Sequence, residues 1–158
     1  MIKQTELENK HFTDTIFYQI ELTSRYTRML GAQLFGRLGL GLTPEEFSTL
    51  DVLSCQDSLC QRDLAKLILK DRANTGKLLD SLENKGFIER TLSVKNNRPV
   101  KIIKMTEAGA QKAKETYEKL KPHHIIVEDR IKNSDLERIG ELLKDLRDIL
   151  EESMEIDI

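Results

Sequence analysis

The spacing of apolar residues along the chain predicts six helices. In each segment apolar side chains return every three or four positions, which is the repeat that gives a helix one buried face. The helices are expected at residues 12–35, at 43–54, in a stretch that ends near residue 69, at 71–84, at 106–130 and at 133–154.

Residue types at the ends of these segments agree with helix termini. Thr43 is a preferred N-cap residue, Pro44 suits a first helical turn, and Glu46 would complete a capping box with Thr43. Asp71 is a favoured N-cap for the fourth helix, and Gly86 lies just past its last turn, where glycine commonly caps. The boundaries of the second and fourth helices therefore rest on two kinds of signal.

A β-hairpin is expected between the fourth and fifth helices. Residues 87–94 alternate loosely and contain β-favouring types, residues 95–98 supply turn chemistry, and residues 100–104 return as a second strand. Three helices followed by a ribbon with a basic tip describe a winged helix-turn-helix, a shape that lays one helix in a DNA groove. The predicted fold class is mainly α with a small β-wing: a winged helix-turn-helix core flanked by dimerisation helices.

This order divides the chain into three predicted parts. They are an N-terminal dimerisation helix and connector at 1–41, a DNA-binding lobe at 42–105, and C-terminal dimerisation helices at 106–158, with Pro122 expected to kink the first of these. The first helix carries an apolar stripe that we expect to be buried, and the last carries a coiled-coil-like seam. The stripe comprises Ile16, Ile20, Thr23, Thr27, Leu30 and Leu34, and the seam comprises Leu136, Ile139, Leu143, Leu146 and Leu150.

The core of the lobe is too small to bury all these apolar faces. A homodimer would cover them, and its two-fold symmetry would match an inverted-repeat DNA site. The alternative is that the flanking helices fold back within one chain.

Charge is distributed unevenly along the 158 residues. The formal net charge is −2, yet residues 61–104 contain 11 Lys and Arg against 5 Asp and Glu. Local potential rather than global charge attracts phosphate, so this stretch predicts double-stranded DNA as a partner. The alternative is an ordinary solvated charged surface.

Other features bear on the compartment. No apolar run approaches the ~20 residues that a membrane-spanning helix needs, and the N-terminus lacks the apolar core of a signal peptide. Two cysteines do not make a disulfide scaffold. We therefore expect a cytoplasmic protein with no membrane partner.

Several short motifs occur in a definite order along the predicted lobe. They are Leu42-Thr43 at the start of the second helix, Leu64-Ala65 in the third, LENKGFI at 82–88, Asn97-Arg98 at the wing tip and MTEAG at 105–109. With these motifs the chain resembles the MarR family of bacterial regulators over nearly its whole length. The resemblance implies a homodimer that binds palindromic operators, usually as a repressor. It also implies release by a small aromatic or phenolic effector bound between the dimerisation helices and the lobes.

The fourth helix is the expected recognition helix, with its first turns in the major groove. Asn pairs bidentately with adenine, Arg or Lys pairs with guanine, and Ala or Thr can touch the thymine methyl. Of Arg72, Ala73, Asn74, Thr75 and Lys77, we expect Asn74 and either Arg72 or Lys77 on bases. The remainder are expected on phosphate, together with Gln61, Lys66, Lys95 and Lys101. Arg98 is expected to enter the minor groove, where narrow A·T-rich stretches attract guanidinium.

Three positions depart from the family pattern. Asn97 stands where the family usually has an Asp that helps to hold the wing by ion pairing, and Pro99 stands where a second arginine often follows. Gly76 replaces a residue that is often Thr, at a cost of about 1 kcal/mol in helix propensity relative to Ala. Its alternative explanations are close approach to the DNA backbone, tight packing against a neighbour, or simple drift.

Cys55 and Cys60 raise an alternative function, a thiol-based redox-sensing regulator. Cys60 lies where the third helix should be capped, and a thiol at a helix N-terminus can have a lowered pKa. A disulfide between the two would distort the start of the DNA-reading unit. Against this, free Cys is more often an inert small hydrophobe, and the family's peroxide-sensing branch keeps its reactive cysteine near the first helix.

Catalytic and metal chemistry are not indicated. His123 and His124 are adjacent, so on a helix they point in different directions, and no His, Cys or Glu spacing suggests a zinc site. No nucleophile motif or glycine-rich phosphate loop is present, so we expect no cofactor, no metal and no enzyme. A further alternative is a winged-helix protein-interaction module without DNA binding. The net positive charge of residues 61–104 and the presence of Arg98 favour a DNA-binding regulator over an interaction module.

Overall fold

The structure, a computed structural model, describes residues 11–56, 58–95 and 97–154, with only the backbone at Lys95, Arg98, Val127 and Glu128. These residues fall into two compact units that divide after Pro44. The predicted divisions at residues 41 and 105 stay predictions.

The first unit consists of a short 3-10 turn, Phe12–Asp14, and the long helix α1, Ile16–Arg37. The hydroxyl of Thr15 accepts a hydrogen bond from the backbone N–H of Tyr18 and so caps α1. The connector after α1 has Gly39 at φ +58° and Gly41 at φ +68°, a conformation that glycine adopts without strain. The predicted glycine connector therefore lies where the sequence placed it.

Most of the apolar stripe of α1 is not buried within one chain, so its burial still depends on the predicted homodimer. Leu34 is 6 % exposed, but Ile16 is 62 % and Leu30 is 52 % exposed. The periodicity correctly predicted a helix with an apolar face. It could not tell which molecule covers that face.

The second unit contains the remaining helices and the sheet. Its elements are α2, Pro44–Ser54; β1, Leu59–Cys60; α3, Gln61–Leu67; α4, Arg72–Asn84; β2, Ile88–Lys95; β3, Arg98–Met105; α5, Glu107–Glu128; and α6, Asn133–Ser153. The sheet is antiparallel in the order β1-β3-β2, so β3 is its central strand. The sequence predicted the β2–β3 hairpin but not β1, which pairs Leu59 with Ile103 and Cys60 with Ile102.

The core of the second unit gathers the apolar faces of α2, α3, α4 and the hairpin. Its members with at most 2 % exposure are Leu50, Leu53, Leu64, Ala65, Leu79, Leu82, Ile88 and Ile103. Leu67 of α3 lies outside this core and is 56 % exposed. Burial of an aliphatic side chain contributes roughly 1.5–3 kcal/mol, so this cluster holds the lobe together.

The turn between α3 and α4 is tight. Lys70 donates its backbone N–H to the carbonyl of Ala65 at 3.0 Å, and Leu69 donates to Lys66 at 3.2 Å. This pair of bonds is the capping arrangement that places one residue in the left-handed region. Leu69 occupies that position with φ +49°, although glycine is the residue that adopts it most easily.

The start of α5 is held against the end of α4. The hydroxyl of Thr106 donates to the carbonyl of Gly86 at 2.7 Å and accepts from the N–H of Gly109 at 3.0 Å. A Cβ built on Gly109 would lie 2.1 Å from the carbonyl oxygen of Phe87. The MTEAG motif therefore has a packing reason, because only a residue without a side chain lets α5 approach this closely.

The last part of the chain leaves an apolar face uncovered. α5 has a buried side at Thr116 and Leu120, and Pro122 lies within the helix. No residue of α6 is buried, and its predicted seam includes Ile139 at 47 % exposure and Leu143 at 38 %. None of the helices in the described ranges combines the length and apolar character that a membrane span requires.

We predict that Gly109→Ala lowers the free energy of unfolding by about 2 kcal/mol or more, because a backbone oxygen cannot move aside as a side chain can. Chemical denaturation monitored by circular dichroism measures this. Gly140→Ala in α6 is the matched control. A Cβ there meets nothing within 4 Å, so alanine should stabilise the helix by up to about 1 kcal/mol. Equal effects of the two substitutions would contradict the close approach at Gly109.

Candidate nucleic-acid interface

The first turn of α4 is an exposed polar surface on a helix whose opposite face is buried. Arg72, Ala73, Asn74 and Lys77 are all exposed, whereas Leu78, Leu79 and Leu82 are buried. The carboxylate of Asp71 caps the helix by accepting from the backbone N–H of Asn74 at 2.8 Å. The predicted N-cap is therefore confirmed, and four of the five predicted recognition-helix residues face solvent.

Thr75 is the exception, and its assignment to the DNA surface is wrong. Its side chain is 0 % exposed, and its hydroxyl is directed at the carbonyl of Lys70 at 3.4 Å. Residues 75, 78, 79 and 82 follow the three- and four-residue spacing of one helix face. Thr75 belongs to that buried face.

Asp71 also holds the side chain of Asn74. Its second carboxylate oxygen accepts from Nδ2 of Asn74 at 2.6 Å. These hydrogen bonds, first the one from the backbone of Asn74 and then the one from its side chain, lower the pKa of the Asp71 carboxyl below 3.8. Asp71 is therefore ionised at neutral pH.

A cleft with a basic lining lies between α3, the start of α4 and β3. It has a volume of about 380 Å³ and is lined by Cys60, Gln61, Arg62, Ala65, Arg72, Pro99, Val100 and Lys101. The structure thus brings together three residues predicted for DNA contact, Gln61, Arg72 and Lys101. The cleft also contains Arg62, which lies in the basic stretch 61–104 but is not among the predicted contact residues.

The wing is a regular hairpin whose tip is tight. Lys95 and Arg98 are the last Cα partners of the β2–β3 register, and Asn97 has φ +58°. Asn is among the residues that adopt this left-handed conformation most readily, so it suits the turn. The side chains of Lys95 and Arg98 lie outside the described part of the structure, and their DNA contacts stay predictions.

The base of the wing is anchored to the recognition helix by an ion-pair network. Arg90 on β2 donates from Nε to Oε2 of Glu83 at 3.0 Å and from Nη2 to Oδ1 of Asp80 at 2.6 Å, and Nη2 also pairs with Glu83. Both carboxylates belong to α4. Asn97 does not supply the wing-tip carboxylate that the resemblance implies, and the wing anchor that the structure does show lies at the base of the hairpin.

These contacts shift the titration of both partners. The hydrogen bond from the Arg90 side chain lowers the pKa of Glu83, outweighing desolvation, and the same bond raises the pKa of Arg90. The side chain of Arg90 is 15 % exposed and that of Glu83 is 38 % exposed, so solvent screens the pair only partly.

A second polar contact fixes the C-terminal end of α4 from the other side. Glu46 of α2 is 3 % exposed, and its carboxylate accepts from Lys85 Nζ at 2.7 and 2.8 Å and from Ser81 Oγ at 2.6 Å. The capping box predicted for Glu46 does not account for these contacts with Lys85 and Ser81. A buried carboxylate needs such partners, because an unpaired buried charge is costly.

Gly76 is not required by close packing within the lobe. The nearest atom to a Cβ built on it is Nε2 of Gln61, at an ordinary distance of 3.8 Å. The explanation by tight packing is therefore wrong. Close approach to DNA and simple drift remain as explanations.

Cys55 and Cys60 are both free thiols, the first exposed and the second partly buried. Cys60 is the N-cap residue of α3, as predicted, and its side chain makes no capping hydrogen bond. Redox sensing stays a hypothesis. Within the described ranges, no group of three His, Cys, Asp or Glu side chains is placed to hold a metal ion.

The fold and this surface define a winged helix-turn-helix protein. Residues 42–100 match the model of the MarR family. This match agrees with the resemblance to a family of transcription regulators that the motifs indicated. No curated protein sequence matches the chain significantly.

Solved structures agree on the fold. A mutant MarR from E. coli in complex with operator DNA superposes with a TM-score of 0.73 at 21 % identity, covering 87 % of this chain and 98 % of that one. MepR of S. aureus in complex with DNA gives 0.70 at 21 % identity, covering 85 % and 97 %. A MarR-family transcriptional regulator from Rhodococcus sp. RHA1 gives 0.76 at 20 % identity, covering 87 % and 95 %.

We predict that Arg90→Gln lowers the free energy of unfolding by about 1 kcal/mol, because it leaves two carboxylates on α4 without their cation. Arg25→Gln is the control, since Arg25 pairs with Glu21 on an exposed helix surface and should change stability by no more than about 0.5 kcal/mol.

The decrease in the free energy of unfolding caused by Arg90→Gln should depend on pH. The folded-state pKa of Glu83 is lowered, so its pairing stabilises the protein above the unfolded pKa near 4.5, and this contribution disappears as the pH falls through the lower folded value. Urea denaturation at several pH values measures it. A difference between wild type and Arg90→Gln that persists unchanged into acid would contradict the ion-pair explanation.

Proposed function

We propose that this chain acts as a homodimer that binds a palindromic operator and represses transcription from it. The observation that carries the proposal is the exposed first turn of α4, with Arg72, Asn74 and Lys77, beside a basic cleft. In helix-turn-helix proteins the N-terminal residues of the recognition helix contact base edges, while neighbouring cations contact phosphate. The arrangement supplies both kinds of contact on one lobe.

The structural relatives support DNA as the partner. The E. coli variant is complexed with operator DNA and the S. aureus protein with DNA, and both have this fold over most of their length. The family match over residues 42–100 includes α3, α4 and β2. We therefore assign the same class of partner to this chain.

The uncovered apolar faces support a homodimer. α1 exposes Ile16 and Leu30, and α6 exposes Ile139, Leu142 and Ile149, each by 47 % or more. Contiguous apolar surface of this kind is usually covered by a partner. A second copy of the chain has the same faces, and a two-fold dimer would present two recognition helices to an inverted repeat.

Release by a small aromatic or phenolic effector is part of this proposal. Such a molecule can weaken DNA binding only if it binds better to a lobe arrangement that misfits the operator. The effector's influence then equals its difference in affinity between the two arrangements. The resemblance to the family is what supports this step.

Binding to random-sequence duplex DNA across a salt series separates a regulator from an interaction module. Five cations per protomer, Arg62, Lys66, Lys95, Lys101 and one of Arg72 and Lys77, give ten phosphate contacts per dimer. Counterion release then predicts a slope of about −9 in log affinity against log salt concentration. Lys101→Gln should reduce the slope by about 2, and Lys114→Gln on α5 should leave it unchanged. Little binding at any salt concentration would favour the interaction module.

Arg98→Ala is predicted to weaken operator binding while the dimer stays intact. The reason is loss of guanidinium from a narrow minor groove, where negative potential is enhanced. Fluorescence anisotropy with labelled operator measures affinity, and sedimentation equilibrium measures the oligomeric state. Unchanged affinity would mean that the wing does not touch DNA.

A further inference from the structure

The side-chain amide of Asn74 is held in one orientation at the tip of the recognition helix. Asp71 uses one carboxylate oxygen for the backbone N–H of Asn74 at 2.8 Å and the other for Nδ2 of the same residue at 2.6 Å. Asn74 itself is exposed. An exposed asparagine would normally rotate freely, so this double contact restricts a group that solvent alone would leave mobile.

The chemistry of the contact decides which way the amide faces. An ionised carboxylate can only accept hydrogen bonds, so the amide must turn its NH₂ group, and not its oxygen, toward Asp71. The NH₂ group has two hydrogens and gives one to Asp71. One N–H and the carbonyl oxygen Oδ1 remain for a ligand.

This remaining pair matches one base edge in the major groove. Adenine presents an acceptor at N7 beside a donor at N6, which needs one donor and one acceptor from the protein. Guanine presents two acceptors, N7 and O6, and the held amide has a single donor left. Among purines, the arrangement therefore selects adenine.

We propose that Asn74 reads an adenine in each half-site and that Asp71 is the positioning residue that fixes its amide for this pairing. The proposal rests on the proposed function, because it assumes that the first turn of α4 lies in the major groove. It adds the geometric reason why Asn74 selects adenine, and it gives Asp71 a role beyond that of a helix cap. Asn74 loses less side-chain conformational entropy on binding because its amide is already oriented.

The test begins with selection of bound duplexes from a pool with a randomised 24-base-pair centre by the full-length protein. The wild type should enrich an inverted repeat with an adenine in each half that Asn74→Ala no longer enriches. Replacing that adenine by guanine in one half-site should weaken wild-type binding about 10-fold, and replacing it by 7-deazaadenine, which lacks N7, about 5-fold. Asn74→Ala should respond less than 2-fold to 7-deazaadenine.

Asp71→Ser separates positioning from capping. Serine is also a favoured N-cap residue, but its single short hydroxyl cannot engage the backbone N–H and Nδ2 together. We expect near wild-type helix content and melting temperature, with the preference for adenine over guanine reduced from about 10-fold to below 3-fold. A residue with a purely structural role would lower affinity for all sequences equally and leave that ratio unchanged.

The outcomes are distinguishable. If the wild type enriches no sequence and binds without salt dependence, the proposed function fails and the inference fails with it. If an operator is enriched but Asn74→Ala selects the same adenine, or Asp71→Ser keeps the wild-type ratio, the inference is overturned while the proposed function stands.

Discussion

The direction of the recognition helix depends on polar contacts at its C-terminal half. Glu46 binds Lys85 and Ser81 from one side, and Arg90 of the wing binds Asp80 and Glu83. The apolar core alone would tolerate some rotation or sliding of α4, because hydrophobic burial is not directional. Charge-assisted hydrogen bonds do have preferred geometry, so they fix where the exposed first turn of α4 points.

The same end of α4 is joined to the helix that follows the wing. Thr106 and the close approach at Gly109 hold α5 against the carbonyls of Gly86 and Phe87. A displacement of α5 would therefore act on the segment that links α4 to β2. Such a rigid joint is what a regulator needs if a change at its flanking helices is to alter the DNA-reading surface.

The elements of this fold could largely be predicted from sequence because their signals are local. Caps such as Asp71 and Gly86, and the three- and four-residue apolar repeat, depend on neighbours within a few positions. Thr75 could also have been placed correctly, since it shares the spacing of Leu78 and Leu82. The partners of Arg90 could not, because they lie on another element, and β1 exists only through its pairing with β3. The apolar stripe of α1 shows what periodicity cannot predict. The repeat identifies an apolar helix face, but it does not say which element or molecule packs against that face.

The most direct test of this account is hydroxyl-radical footprinting of the full-length protein on a duplex selected from a random pool, combined with sedimentation of the complex. Two chains per duplex should protect two mirror-related segments whose centres lie about 10 base pairs, one helical turn, or a multiple of that distance apart. One chain protecting a single segment, or even protection without a two-fold pattern, would contradict it.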